Sequence, residues 1–170
     1  MTGVDYDAAG QLVATNSTFI GSLNGPPFGT LVGAFALDEF MEDITFVGQG
    51  CSPGFWKNNQ PAPWSAEFPV DRTVGSTFDV SSFPSLSGDT LLQALSYKGG
   101  GTDIGAARIL LRQAVAALEN AASPSIDYPL TVEQVRTMVN ASLTSGSRSN
   151  MTATAQVLDR YNNLPTCPLG

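Results

Sequence analysis

The sequence predicts a mainly α protein: a small C-terminal bundle of about four helices, preceded by a Gly/Pro-rich N-terminal segment with short β-strands. Three observations carry this. Up to residue 50, glycines recur at 3, 10, 21, 25, 29, 33, 48 and 50 around a Gly25-Pro26-Pro27 break, a spacing that interrupts helices and suits strands and turns. Residues 51–88 are rich in Pro, Ser and aromatic side chains. From Asp89 onward, apolar residues recur at helical spacing between capping residues. The expected division is a strand and loop attachment segment over 1–50 and a helical module over 51–170.

Taken in order, residues 4–13 read as a short hairpin, with Asp starting a turn and Gly10 at its exit. Leu31, Val32, Phe35, Leu37, Phe40, Ile44 and Phe46 make 28–46 apolar enough to need cover, and short strands are expected there. The stretch 51–88, with Pro53, Pro61, Pro63, Pro69 and Pro84 among Phe55, Trp56 and Trp64, has few helical options and is too aromatic for a free linker, so it is expected to wrap a core as an ordered loop. Asp89 is expected to cap a helix from Thr90 to Tyr97, ended by Gly99-Gly100-Gly101. Thr102 or Asp103 then caps Ile104 to Ala122, with Ile104, Ala107, Leu111, Ala114 and Leu118 on one face. Thr131 and Gln134 form a capping box for a third helix, with Val132, Val135, Met138, Val139 and Leu143 inward and an end near Gly146. Ser149 is expected to cap a fourth, with Met151, Ala155, Leu158 and Tyr161 inward.

The composition restricts function. The chain has 170 residues, a formal charge of -7 and only 14% charged residues, well under the usual share of about 25%. This suits an extracellular or assembled protein. With Lys57 and Lys98 as its lysines there is no basic stripe to neutralise phosphates, so nucleic acid is set aside as a partner. There is no histidine, which removes Ser-His-Asp and Cys-His catalysis and His-ligated zinc. Carboxylate-only chemistry survives: glycoside hydrolysis by two acids, or calcium held by oxygen ligands. Residues 1–10 lack a basic start followed by an apolar core, and no segment is long and apolar enough to span a bilayer. The chain is expected either to begin at its natural Met or to be trimmed from a longer secreted protein.

Several residues are candidates for a site. Cys51 and Cys167 are expected to form a disulfide that closes the module, the other reading being two unpaired buried thiols; the bond would imply an oxidising compartment. Phe55, Trp56 and Trp64 serve either as a sugar-stacking platform beside Asn58 and Asn59 or as core aromatics, with Trp56 plugging the bundle under the stem of Lys57. Asp5 and Asp7 sit in a run like an Asp-rich calcium loop, without its later ligand positions. Asp38, Glu39, Glu42 and Asp43 place four acids in six residues, to ligate calcium, to act as an acid/base pair, or simply to form a solvated acidic edge. The Gly99 to Thr102 run offers amides to an anion but lacks a phosphate-loop lysine, so a helix-to-helix turn is expected. Asn16, Asn140 and Asn150 begin glycosylation-type triplets.

Cys51-Ser52-Pro53-Gly54-Phe55-Trp56-Lys57-Asn58-Asn59 resembles the Cys-x-Pro-Gly-aromatic-Trp-Lys-Asn-His opening of an uncharacterised module of secreted and cell-surface bacterial proteins. The likeness continues through Gly99–Gly101, Gly105–Leu118, Tyr128–Thr131 and Asn162–Leu169. Asn59 stands where that module usually has His, which weakens a metal or catalytic role for this position. The resemblance implies an extracellular setting and no established reaction.

The function expected from these features is a non-enzymatic structural or interaction protein of an extracellular assembly, such as a virion decoration or appendage protein. Residues 1–50 would join it to other protein chains as a homo- or hetero-oligomer. Two alternatives stand beside it: a secreted cell-surface binding module, with a glycan as its ligand, and a carboxylate-only hydrolase.

Overall fold

A computed structural model describes residues 48–170, which fall within one unit of the chain, Thr45–Gly170. The hairpin and strands expected before residue 48 lie outside the described residues. Within them the protein is helical: α1 (Pro53–Asn58), α2 (Val74–Thr77), a single 3-10 turn (Pro84–Leu86), α3 (Leu91–Ala94), α4 (Asp103–Ala122), α5 (Val132–Thr144) and α6 (Arg148–Asn162). The one extended pairing among the described residues is an isolated antiparallel bridge between Thr73 and Thr90.

The long helix α4 is the axis of the module. Its 20 residues make a rod of about 30 Å, and α6, α5, α1 and α3 all pack on it. A single inward face was expected, but α4 is buried on nearly every side. Ala106, Leu110, Val115, Ala116 and Ala117 are as enclosed as Ala107, Leu111, Ala114 and Leu118, while Ile104 is only partly covered. A helix surrounded by neighbours needs apolar or small residues all round, and the alanines let α5 and α6 approach closely. Around it lie Val135, Val139 and Leu143 from α5, Met151, Ala155 and Leu158 from α6, and Trp56, Phe68, Leu86 and Leu91 from the preceding segments.

The local starts and stops follow side-chain chemistry. In α5 the expected capping box is present: Gln134 N–H donates to Thr131 Oγ1 at 3.2 Å, and Thr131 N–H to Gln134 Oε1 at 2.8 Å. That helix ends where Gly146 takes φ +62°, with its N–H donating to Leu143 O. Three expectations are corrected. First, α3 is short and is capped by Thr90, which forms a second capping box with Gln93; Asp89 instead accepts the Tyr97 hydroxyl at 2.6 Å. Second, α6 is capped by Ser147 rather than Ser149, and Asn162 is fully buried in its last turn while Tyr161 is only partly so. Third, the stretch 51–88 is not all loop. Ser52 caps α1 by accepting Phe55 N–H at 3.2 Å, and Pro53 occupies the first turn, where its missing N–H costs nothing.

Candidate functional site

The two ends of the module meet at Cys51 and Cys167, which form a disulfide with Cα atoms 4.8 Å apart across a sequence separation of 116. Immediately beneath it lies a chain of buried amides. Cys51 N–H and Trp56 Nε1–H both donate to Asn120 Oδ1, at 2.9 and 3.0 Å. The Asn120 amide nitrogen returns bonds to Cys51 O and Asn162 Oδ1. Asn162 then donates to Gln113 O and Gln113 Oε1 and also accepts the Tyr128 hydroxyl at 2.9 Å. Gln113 Nε2 ends the chain on Asp159 Oδ1 at 2.7 Å. A primary amide offers two donors and two acceptor positions, and here both Asn120 and Asn162 use all four. Such a satisfied network locks α1, α4 and α6 and the loop bearing Tyr128 into one register. Burial also pushes the Tyr128 hydroxyl well above its ordinary ionisation range, so it stays a donor.

The aromatic trio divides. Trp56 is fully buried and takes the core role, its indole N–H committed to Asn120. Trp64 is partly buried and stands edge-on to Trp56, with ring centres 6.5 Å apart and its Nε1–H donating to Trp56 O at 2.9 Å. Phe55 is partly buried and edge-on to Trp56 at 5.3 Å. Asn58 is exposed, and Asn59 caps the end of α1 through its Nδ2 on Phe55 O. The Gly99–Gly101 run is a helix-to-helix turn: a Cβ on Gly105 would lie 2.6 Å from Gly100 O, so the start of α4 presses on the turn itself. The acids proposed for calcium, Asp5, Asp7, Asp38, Glu39, Glu42 and Asp43, lie outside the described residues. Among the described residues no group of three His, Cys, Asp or Glu comes together to hold a metal ion, and no helix is long and apolar enough to cross a membrane.

Among the described residues one carboxyl is fully buried without full satisfaction. Glu119, in the last turns of α4, is 0% exposed. Its Oε2 accepts Ser65 N–H at 2.9 Å, while Oε1 is buried with no hydrogen-bond partner. Loss of water pushes the carboxyl up from 4.5 to about 7; the Ser65 bond opposes the shift and the nearby charge of Glu67 adds to it. The group therefore keeps its proton through the mildly acidic range, losing it around pH 7, and latches the loop around Ser65 to the central helix.

Sequence reasoning missed Gln113, Glu119, Asn120 and Asn162. The signal was present: Glu119-Asn120 interrupts an Ala/Leu run at positions that the helical period turns toward neighbours.

The family model for the Protodermal factor 1 C-terminal domain matches residues 51–163. This span begins on Cys51 and includes the whole amide network. The chain belongs to the Protodermal factor 1 C-terminal domain family. This is a plant family, so the resemblance to a bacterial secreted module is corrected: the Cys51–Asn59 opening that suggested it lies within the span matched by this plant domain. Nor does the plant family support a virion or capsid setting. No curated protein and no solved structure matches the chain.

Proposed function

We propose that this Protodermal factor 1 C-terminal domain protein is a non-enzymatic interaction module of an extracellular assembly, in which residues 51–170 form a closed unit and residues 1–50 provide attachment to other protein chains. The observation that carries the reading is the Cys51–Cys167 disulfide, which brings the entrance and exit of the module together. A structural disulfide persists in oxidising surroundings and is rare where thiols are kept reduced. The buried amides also support a scaffold role, since they are engaged with one another and hold the corner beneath the disulfide.

The test is the intact mass of protein taken from its source, fractionated into extracellular and intracellular material and alkylated with and without reduction. The expected result is extracellular protein that takes up no alkyl group until it is reduced. Two freely alkylated thiols in intracellular protein would overturn the extracellular assignment.

A further inference from the structure

A charged furrow runs beside α6 and meets the end of the buried amide chain at Gln113 and Asp159. Three shallow hollows of about 340, 250 and 510 Å³ follow one another and share lining residues. The first is lined by Lys57, Arg112, Asp159 and Asn163. The second repeats Arg112 and Asp159 and adds Thr152 and Gln156. The third repeats Thr152 and Gln156 and ends at Arg148 and Ser149. Between Arg148 and Asp159 alone the furrow follows α6 for about 17 Å. Its charge runs against that of the molecule: three of the chain's eight cations line it and only one of its fifteen acids, on a protein of net charge -7.

The cations are available. Lys57 and Arg148 are exposed and have no hydrogen-bond or ion-pair partner among the described residues, and Arg112 makes one long bond, 3.4 Å, to Tyr97 O. The acid is restrained: Asp159 Oδ1 accepts Gln113 Nε2 and Asn163 Nδ2, which leaves its second oxygen to accept from a ligand. Between the cations lie hydroxyls and amides, at Thr152, Gln156 and Asn163, groups that both donate and accept.

We propose that this furrow binds a carboxylate-bearing oligosaccharide, with Lys57, Arg112 and Arg148 meeting successive carboxylates and Thr152, Gln156, Asp159 and Asn163 meeting hydroxyls. An acidic peptide fits less well. Docked peptides take their affinity from a free strand edge or from enclosed pockets for apolar side chains; the furrow runs along helices, and its hollows are shallow and open, so it offers neither. The inference deepens the interaction-module reading by naming a ligand class, and it rests on that module binding partners through its surface. Its test does not depend on the compartment.

The oxidised full chain is titrated by calorimetry with an α-1,4-linked tetrauronate, with the methyl ester of the same tetramer, and with a short poly-glutamate of matched charge. The tetrauronate should bind and weaken as salt is raised, and the neutral ester should bind at least tenfold less tightly. Lys57→Gln and Arg148→Gln should each weaken it about two- to fivefold, and the double variant about tenfold. Arg160→Gln, which lines none of the hollows, should bind like the parent. These changes are at exposed side chains, and circular dichroism checks that each variant is folded. Equal affinity for poly-glutamate would overturn the sugar assignment, and no binding at millimolar tetrauronate would overturn the site. The second result would leave the extracellular module reading standing if the thiols are oxidised, whereas tetrauronate binding by a protein found reduced inside cells would defeat that reading alone.

Discussion

Replacing Glu119 by Gln isolates the consequence of burying one carboxyl. Folding raises its pKa from 4.5 to about 7, chiefly through loss of water. Below pH 4.5 the group is protonated in both folded and unfolded chains and contributes no pH dependence. Between pH 4.5 and 7 the unfolded chain ionises while the folded one keeps its proton, so the unfolded state is favoured increasingly and stability falls as pH rises. Above pH 7 both states are ionised and the loss levels off. The window spans about 2.5 pH units, worth about 3 kcal/mol. Glu119→Gln keeps an acceptor for Ser65 N–H and never ionises, although its amide nitrogen takes the place of the unpartnered Oε1 and costs about 1 kcal/mol. The variant should therefore be less stable than the parent at pH 4.5 and more stable by about 2 kcal/mol at pH 8. Urea unfolding followed by tryptophan fluorescence at half-unit pH steps reads this directly, as a difference in midpoint that reverses sign and reaches about 1–2 M. Parallel parent and variant profiles from pH 4.5 to 8 would refute the assignment of a buried, proton-holding carboxyl.

Reducing the Cys51–Cys167 bond, or replacing both cysteines by Ser, should lower stability by about 5 kcal/mol in the loop-entropy model, since the bond spans 116 residues; oxidised and reduced urea curves on one preparation measure it. Asn120→Leu removes the shared partner of Cys51 N–H, Trp56 Nε1–H, Cys51 O and Asn162 Oδ1. It should cost about 3–5 kcal/mol and shift the Trp56 emission, whereas Asn163→Ala, which removes bonds at an exposed helix end, should change the midpoint by less than about 1 kcal/mol.

The helical pattern was legible where the code is local. Thr131 and Gln134 announce α5 because both partners of the capping box lie within one turn, and the apolar periodicity of 104–122 announces α4. Asp89 misled because its carboxylate had a stronger claimant, the Tyr97 hydroxyl eight residues on. Ser52 and Pro53 begin a real helix, α1, inside a segment whose proline content argued for loop. Its six residues are held by Trp56 in the core rather than by helix propensity. The candidate site was legible in part. Cys51, Cys167 and Trp56 stood out as residue types, but the furrow of Lys57, Arg112 and Arg148 draws on three different helices and leaves no motif in the chain.

By itself the sequence determined the mainly helical class, the capping of α4 and α5 and the lack of histidine chemistry, because these follow from composition and from contacts a few residues apart. Only the tertiary structure decided that Asn120 and Asn162 are structural rather than surface polar groups, that Glu119 holds a proton, and that three cations of an acidic protein share one furrow. Those properties depend on which distant side chains exclude water from a given atom, and desolvation is set by the packing of the whole fold.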